Sequence, residues 1–296
     1  MSEMYRVPVD PAATNNPHSY ALQMTGTGHN VLEVGCSVGH VTEHLAAAGN
    51  TVVGVEIDPQ AAAEASTWAS HVHVLDLDTE RLTAVESGRF DVIMLGDVIE
   101  HLRDPERTLG ELIELLGDDG RLIVSVPNVG HIDVRLMLLE GTWEYQRDGL
   151  LDDTHLRWFT GESLRRLLGR LGFTVRRVER VRLGIGASGL PVTPGLHSPD
   201  VIRFVESDPE AHTYQFVVEA VRSAAGVADA LAPHGADWPD LRAERARLEA
   251  ELDAARADVA RLTDHNVALQ AEVDAWKHSK LARLSAPIRS IWARVK

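Results

Sequence analysis

The run Val31-Leu-Glu-Val-Gly-Cys-Ser-Val-Gly39, followed by Thr51-Val-Val-Gly-Val-Glu-Ile-Asp-Pro59, decides the fold. Val31 to Val34 reads as a buried strand that enters a glycine turn and then a helix, His40 to Ala48. Glycine suits such a turn because it takes φ > 0 without strain and lets a ligand approach the backbone. The second run is another apolar strand, 51–57, which ends in Glu56 and Asp58. Glu56 follows Gly35 by about 20 residues, the spacing at which a doubly wound sheet sets an acid against a ribose. The pattern argues against NAD. It is Glu-x-Gly-x-x-x-Gly rather than Gly-x-Gly-x-x-Gly, and the acid Glu33 precedes the turn where a dinucleotide would bring its pyrophosphate.

An acid at Glu33 suits a cationic ligand, such as the amino group of S-adenosylmethionine. The first run resembles motif I of the class I S-adenosylmethionine-dependent methyltransferases, and Val55-Glu-Ile-Asp58 resembles their second motif. A plain βαβ unit with an incidental glycine turn is the alternative for this stretch taken alone. Further strands follow. One, 71–75, ends in Asp76-Leu-Asp78, and another, 90–95, ends in Gly96-Asp97. A helix over 105–116 starts at Pro105, a favoured first helical position, and stops at Gly117-Asp-Asp-Gly120 before the strand 121–127. Phe90-Asp-Val-Ile-Met-Leu-Gly-Asp-Val-Ile-Glu-His-Leu102 resembles the family's fourth motif, and residues 116–128 resemble the strand after it. Leu150-Leu-Asp-Asp-Thr-His-Leu-Arg-Trp-Phe-Thr160 is similar to a segment of a subfamily found with bacterial surface-polysaccharide and glycolipid genes.

Strands alternating with helices predict an α/β, Rossmann-like, seven-stranded doubly wound sheet. After a helix over 162–171, strands 173–181 and 213–220 would close it as an antiparallel pair. Residues 1–29 read as an irregular lead-in with a short helix around Ser19 to Met24, and 30–221 as the methyltransferase domain. Segments 129–160 and 184–211 read as the cover over the acceptor, the second being Gly/Pro-rich and too polar for core.

The resemblance assigns the donor side residue by residue. Glu33 would meet the amino group, Gly35 and Gly39 would admit the methionine moiety, and Glu56 would accept from both ribose hydroxyls. Asp76 and the Leu77 backbone would face the adenine, with Asp78 as the rival of Asp76. Cys36, Ile57, Asp58 and Gly96 would line the same cofactor. On the acceptor side stand Asp97, His101 and His155 as candidate catalytic residues, with Arg157 as a candidate for an acceptor anion or a plain salt bridge. Asp97, Glu100 and His101 also resemble the Glu-x-x-Glu-His metal motif of ubiquinone-pathway and small-RNA methyltransferases, with Asp97 in place of the first Glu. That spacing suggests Mg²⁺ or another divalent ion, with His155 as a further ligand or a general base. The competing reading is that Glu100-His101-Leu102 caps a helix beneath the site.

Composition limits the partners. The net charge is −15, with 18 Lys+Arg against 35 Asp+Glu in residues 1–239 and 11 against 9 in residues 240–296. An acidic body is a poor match for nucleic acid. A single cysteine, Cys36, cannot form an internal disulfide and fits a reducing compartment. The polar first 25 residues, with Pro8, Pro11 and Pro17, do not read as a signal peptide, so a cytoplasmic location is expected.

Residues 222–240 read as a linker. Over 241–276, Leu241, Leu248, Ala255, Leu262, Leu269 and Trp276 share one heptad position. Leu252, Val259, Asn266 and Val273 share the other, the pattern of a parallel two-stranded coiled coil and hence of a homodimer. A long helix folded back on its own domain is the alternative. Residues 277–296 carry six Lys/Arg and no acid, with Leu281, Leu284, Ile288, Ile291, Trp292 and Val295 on one helical face. Such a tail suits an anionic membrane surface or a partner protein. The expected activity is O-methylation of a sugar or glycoconjugate hydroxyl. A phenolic or carboxylic natural product, or a catalytically silent scaffold, is the alternative.

Overall fold

A computed structural model describes residues 9–223 and 241–278 of the chain. The chain divides into two compact units, 1–237 and 238–296. The first unit is built on seven strands: β1 (Asn30–Val34), β2 (Thr51–Glu56), β3 (His71–Val74), β4 (Phe90–Gly96), β5 (Leu116–Pro127), β6 (Phe173–Arg182) and β7 (Thr213–Arg222). They lie in the order β3-β2-β1-β4-β5-β7-β6. β3, β2, β1, β4 and β5 are parallel, and β7 runs antiparallel to both β5 and β6. The expected sheet, with its antiparallel last pair, is the one found.

The parallel strands read as near-continuous apolar runs because helices cover both faces of such a sheet. Val31, Leu32, Val92, Ile93, Leu95, Leu122, Ile123 and Val124 are fully buried. Chain order reverses between β1 and β4, and a crevice opens there at the strands' carboxyl ends, where doubly wound sheets bind ligands.

Helices α1 (Pro17–Thr25), α2 (His40–Ala47), α3 (Pro59–Ala65), α4 (Pro105–Leu112), α5 (Ile132–Leu139), α6 (Gly161–Arg170) and α7 (Pro199–Glu206) complete the first unit. The short helix expected in the lead-in is α1, capped by Asn16, which buries Ala21 and Met24 in a cluster with Val31, Val41, Val92 and Ile123. One expectation needs correcting. The insertion 184–211 is not merely a polar cover. It carries α7, and its Leu190, Val205 and Ala211 are buried against Val134, Met137, Leu150, Leu151, Ile132 and Leu136 of α5 and its neighbours. The apolar residues of this segment are spaced among Gly and Pro, so periodicity does not reveal them. Asp133, itself buried, ties the insertion down by accepting from the Gly186 and Ser188 amides and the Ser188 hydroxyl.

The second unit contains α8 (Leu241–His278). Leu252, Val259, Leu262, Leu269 and Val273 on it are all at least 43% exposed. The linker from residue 224 onward and the basic tail from residue 279 onward lie outside the described residues. Among the described residues, no helix is long and apolar enough to cross a membrane.

Candidate active site

The crevice is a continuous cleft of about 650 Å³, within the range of small-molecule sites. One end of it is set by the turn after β1. Gly35 has φ +72°, and a β-carbon there would lie 2.6 Å from Val98 Cγ2, so glycine is required twice over. Ser37 is left-handed at φ +48°. Its amide donates to Glu56 at 2.9 Å. Ile57 and Asp58 amides donate to the same carboxylate, also at 2.9 Å. Three backbone donors therefore orient Glu56 at the tip of β2 and occupy most of a carboxylate's acceptor positions.

Gly39 is placed differently from the expectation. It lies outside the cleft lining, and a β-carbon on it would lie 2.8 Å from Ala65 Cα, so its bareness serves the packing of α2 on α3. Cys36 is likewise beneath the turn. Its thiol packs against Gly54, and burial pushes its pKa up, so it is neither a lining group nor a thiolate. Asp58 caps α3 through the Gln60 amide at 2.8 Å while lining the cleft beside Ile57.

Glu33 is 4% exposed and accepts a 2.6 Å hydrogen bond from Thr42. Burial raises its pKa to about 8. Asp76, Leu77 and Asp78 all line the cleft. Asp76 closes its own turn by accepting from the Asp78 amide and the Thr79 hydroxyl, whereas Asp78 is drawn to the Arg103 amide. Two residues at this end escaped the sequence reading, His18 of α1 and His40 of α2. Their rings meet edge to face at 5.3 Å and line the cleft, and each has a buried Nδ1 without a hydrogen bond among the described residues. Burial lowers the pKa of both, His40 to about 4. Only the tertiary placement of α1 brings His18 there.

The acceptor end is assembled from the end of β4, the loop 148–155 and the start of β7. Asp97 has φ +54° and accepts from Gln215 Nε2 and, at 3.3 Å, from Ser125 Oγ. Gly96 lines the cleft just before it. Tyr214 and Gln215 were not anticipated, since β7 lies over a hundred residues away in sequence.

Glu100 is 1% exposed, and among the described residues no other residue hydrogen-bonds either carboxylate oxygen. Burial, then repulsion from Asp97 and Asp152, drives its pKa well up. Its main-chain carbonyl accepts from the Leu156 and Arg157 amides at 2.8 and 2.9 Å, which docks the 150–160 segment directly on it. Asp152 takes the Thr154 amide and hydroxyl, shaping the turn that delivers His155. His101 and His155 then meet edge to face at 4.8 Å. Burial, with His101 next, lowers the pKa of His155.

Glu100, His101 and His155 each bring one potential ligand atom within 4.8 Å of the others. Asp97, expected as a ligand, is not in that group and is engaged by Gln215 and Ser125 instead. One carboxylate and two imidazoles do not fit Mg²⁺, which demands an oxygen-rich octahedral set. The donor end does fit the cationic amino acid and nucleoside of S-adenosylmethionine: a buried acid, an oriented strand-tip carboxylate and a glycine whose bareness the turn requires.

Comparison with known proteins agrees. The profile of the methyltransferase-domain family matches residues 12–178. A ubiquinone biosynthesis O-methyltransferase of Psychrobacter arcticus is 28% identical over 146 residues, 44% of this chain and 57% of that protein. A probable S-adenosylmethionine-dependent methyltransferase of Mycobacterium tuberculosis is 30% identical over 147 residues, 50% of this chain and 49% of that one. The chain thus spans about half the length of the curated relatives it matches. A solved S-adenosylmethionine dependent methyltransferase from Mesorhizobium loti is 17% identical with a TM-score of 0.47, over 72% of this chain and 100% of that one. By the extent of the profile match, the chain belongs to the methyltransferase-domain family.

Proposed function

We propose that the chain is an S-adenosylmethionine-dependent O-methyltransferase whose acceptor is a hydroxyl of a sugar or glycoconjugate of the cell-surface type. One observation carries this reading: a single cleft holds Glu33, Glu56 and Asp76 at one end and Asp97, Glu100, His101 and His155 at the other. When bound, S-adenosylmethionine supplies a methyl group on a positively charged sulfur. The chain's own residues provide the rest. Glu33 binds the amino group, the two unpartnered histidines His18 and His40 offer donors to the carboxylate, and Glu56 takes a ribose hydroxyl. His155, kept neutral by burial, accepts the proton of the acceptor hydroxyl. Fixing both partners in line is worth several kcal/mol.

Support for the sugar comes from the similarity of residues 150–160 to the polysaccharide-associated subfamily. Incubation of the protein with methyl-labelled S-adenosylmethionine and sets of sugars, lipid-linked glycans and phenols tests it. Label in phenols alone overturns the sugar assignment. Phenol methylation is the second reading, favoured by the relative named for ubiquinone biosynthesis.

Glu100 supports a second reading of the acceptor end. A buried carboxylate without a partner, beside two imidazoles, suits a transition metal such as Zn²⁺. Metal analysis of the purified protein, before and after chelation, separates this from a histidine acting alone. We further propose that a second copy covers the exposed heptad positions of α8, and that the chain works in the cytoplasm or at the inner membrane face.

A further inference from the structure

A second cavity of about 540 Å³ opens beside the cleft and takes no part in the chemistry above. Its walls include Arg103, Arg157, Trp158, Arg166 and Arg170, together with the carboxylates Asp104 and Glu106. Four arginines converge here in a chain of net charge −15. Three of them are in ion pairs: Arg170 with Glu106 at 2.8 Å, Arg166 with Glu162 at 2.7 Å and Arg103 with Asp78 at 3.7 Å. Arg157 has no ion pair among the described residues and spends its guanidinium on the main-chain carbonyls of Leu156 and Arg103. Arg157 is therefore the guanidinium of this wall left without a carboxylate partner among the described residues, and its planar fork suits a phosphate.

Its position is the second observation. Arg103 lies two residues past His101, and Arg157 two past His155. The two segments are bonded together through Arg157 and the Arg103 carbonyl. His101 and His155 face the cleft while Arg103 and Arg157 face this cavity, so the two openings share one wall.

The third is an aromatic surface. Trp158, in the cavity wall, stands 5.9 Å from Trp143 and 6.4 Å from Tyr145, ring centre to ring centre. All three are at least 36% exposed. Exposed rings beside arginines offer a stacking face for a sugar or base next to a phosphate site.

We propose that this cavity is an acceptor subsite for a phosphate group, and that the substrate is a phosphorylated sugar whose hydroxyl reaches His155 while its phosphate rests between Arg157 and Arg103. The inference rests on the sugar methyltransferase reading and names its substrate class. The test is calorimetry on the full chain saturated with S-adenosylhomocysteine, using pyrophosphate, glucose 1-phosphate and UDP-glucose as probes and glucose as control. Binding of the phosphorylated probes but not glucose is expected, weakened at least tenfold by Arg157→Gln and by Arg103→Gln. Tighter UDP-glucose than glucose 1-phosphate would identify a nucleotide-linked acceptor, and equal affinities a simple glycosyl phosphate. Absence of binding at millimolar probe, or unchanged affinity in both variants, overturns the subsite. Because S-adenosylhomocysteine binding is measured first in each variant, that failure is distinct from failure of the methyltransferase reading.

Discussion

Thr42 donates a 2.6 Å hydrogen bond to Glu33 at the floor of the cleft, and this bond does not offset the burial of the carboxyl. With a pKa near 8, Glu33 is mostly protonated at pH 7. A cationic amino group requires it ionised. Binding of S-adenosylmethionine near pH 7 should therefore release close to one proton in the wild type and none from this site in Glu33→Gln. Calorimetry in buffers of different ionisation enthalpy measures this; equal proton release in both proteins would contradict the role assigned to Glu33.

The same shift has a sign for stability. Glu33 in the folded chain holds its proton above the unfolded value, so its favourable contribution is full below about pH 4.5 and is lost as pH rises toward 8. Glu33→Gln removes that dependence. The ligand-free variant should be more stable than wild type near pH 8, by on the order of 1–3 kcal/mol, and the gap should close toward pH 5. Urea unfolding at the two pH values checks it.

Gly35 and Ser37 share left-handed backbone but should respond in opposite directions to substitution. Gly35→Ala adds left-handed strain and a clash with Val98, and should destabilise by about 2–4 kcal/mol. Ser37→Gly relieves strain and should stabilise by up to about 1 kcal/mol. Denaturant midpoints compared with wild type decide both.

His155→Ala should lower kcat by about 10²–10⁴ while leaving the affinity for S-adenosylhomocysteine within about twofold of wild type. A parallel loss of cofactor affinity would place His155 in the donor site instead. Single-turnover kinetics with a titration of S-adenosylhomocysteine separates the two.

The exposed stripe of α8 predicts self-association. Sedimentation equilibrium should report a dimer for the full chain and a monomer for residues 1–240. Asn266→Leu, at a position where a buried amide specifies register, should tighten association and broaden the distribution of oligomers. A full chain that sediments as a monomer at tens of micromolar would exclude the pairing.

The sequence by itself determined the sheet and the donor end, because both are written locally. Apolar runs of strand length, a glycine turn after β1 and acids at the tips of β2 and β3 place Glu33, Gly35, Glu56 and Asp76 without knowledge of distant contacts. Heptad spacing made α8 legible in the same way. Tertiary structure alone decided the rest. It placed His18 opposite His40, turned Gly39 and Cys36 away from the cleft, and brought Gln215 to Asp97 across 118 residues. It also left Asp97 out of the ligand-atom group that Glu100, His101 and His155 form. These outcomes depend on which backbone carbonyl or neighbouring helix each segment meets, and spacing along the chain does not encode that. The Glu100 carbonyl, by accepting from Leu156 and Arg157, fixes where His155 points.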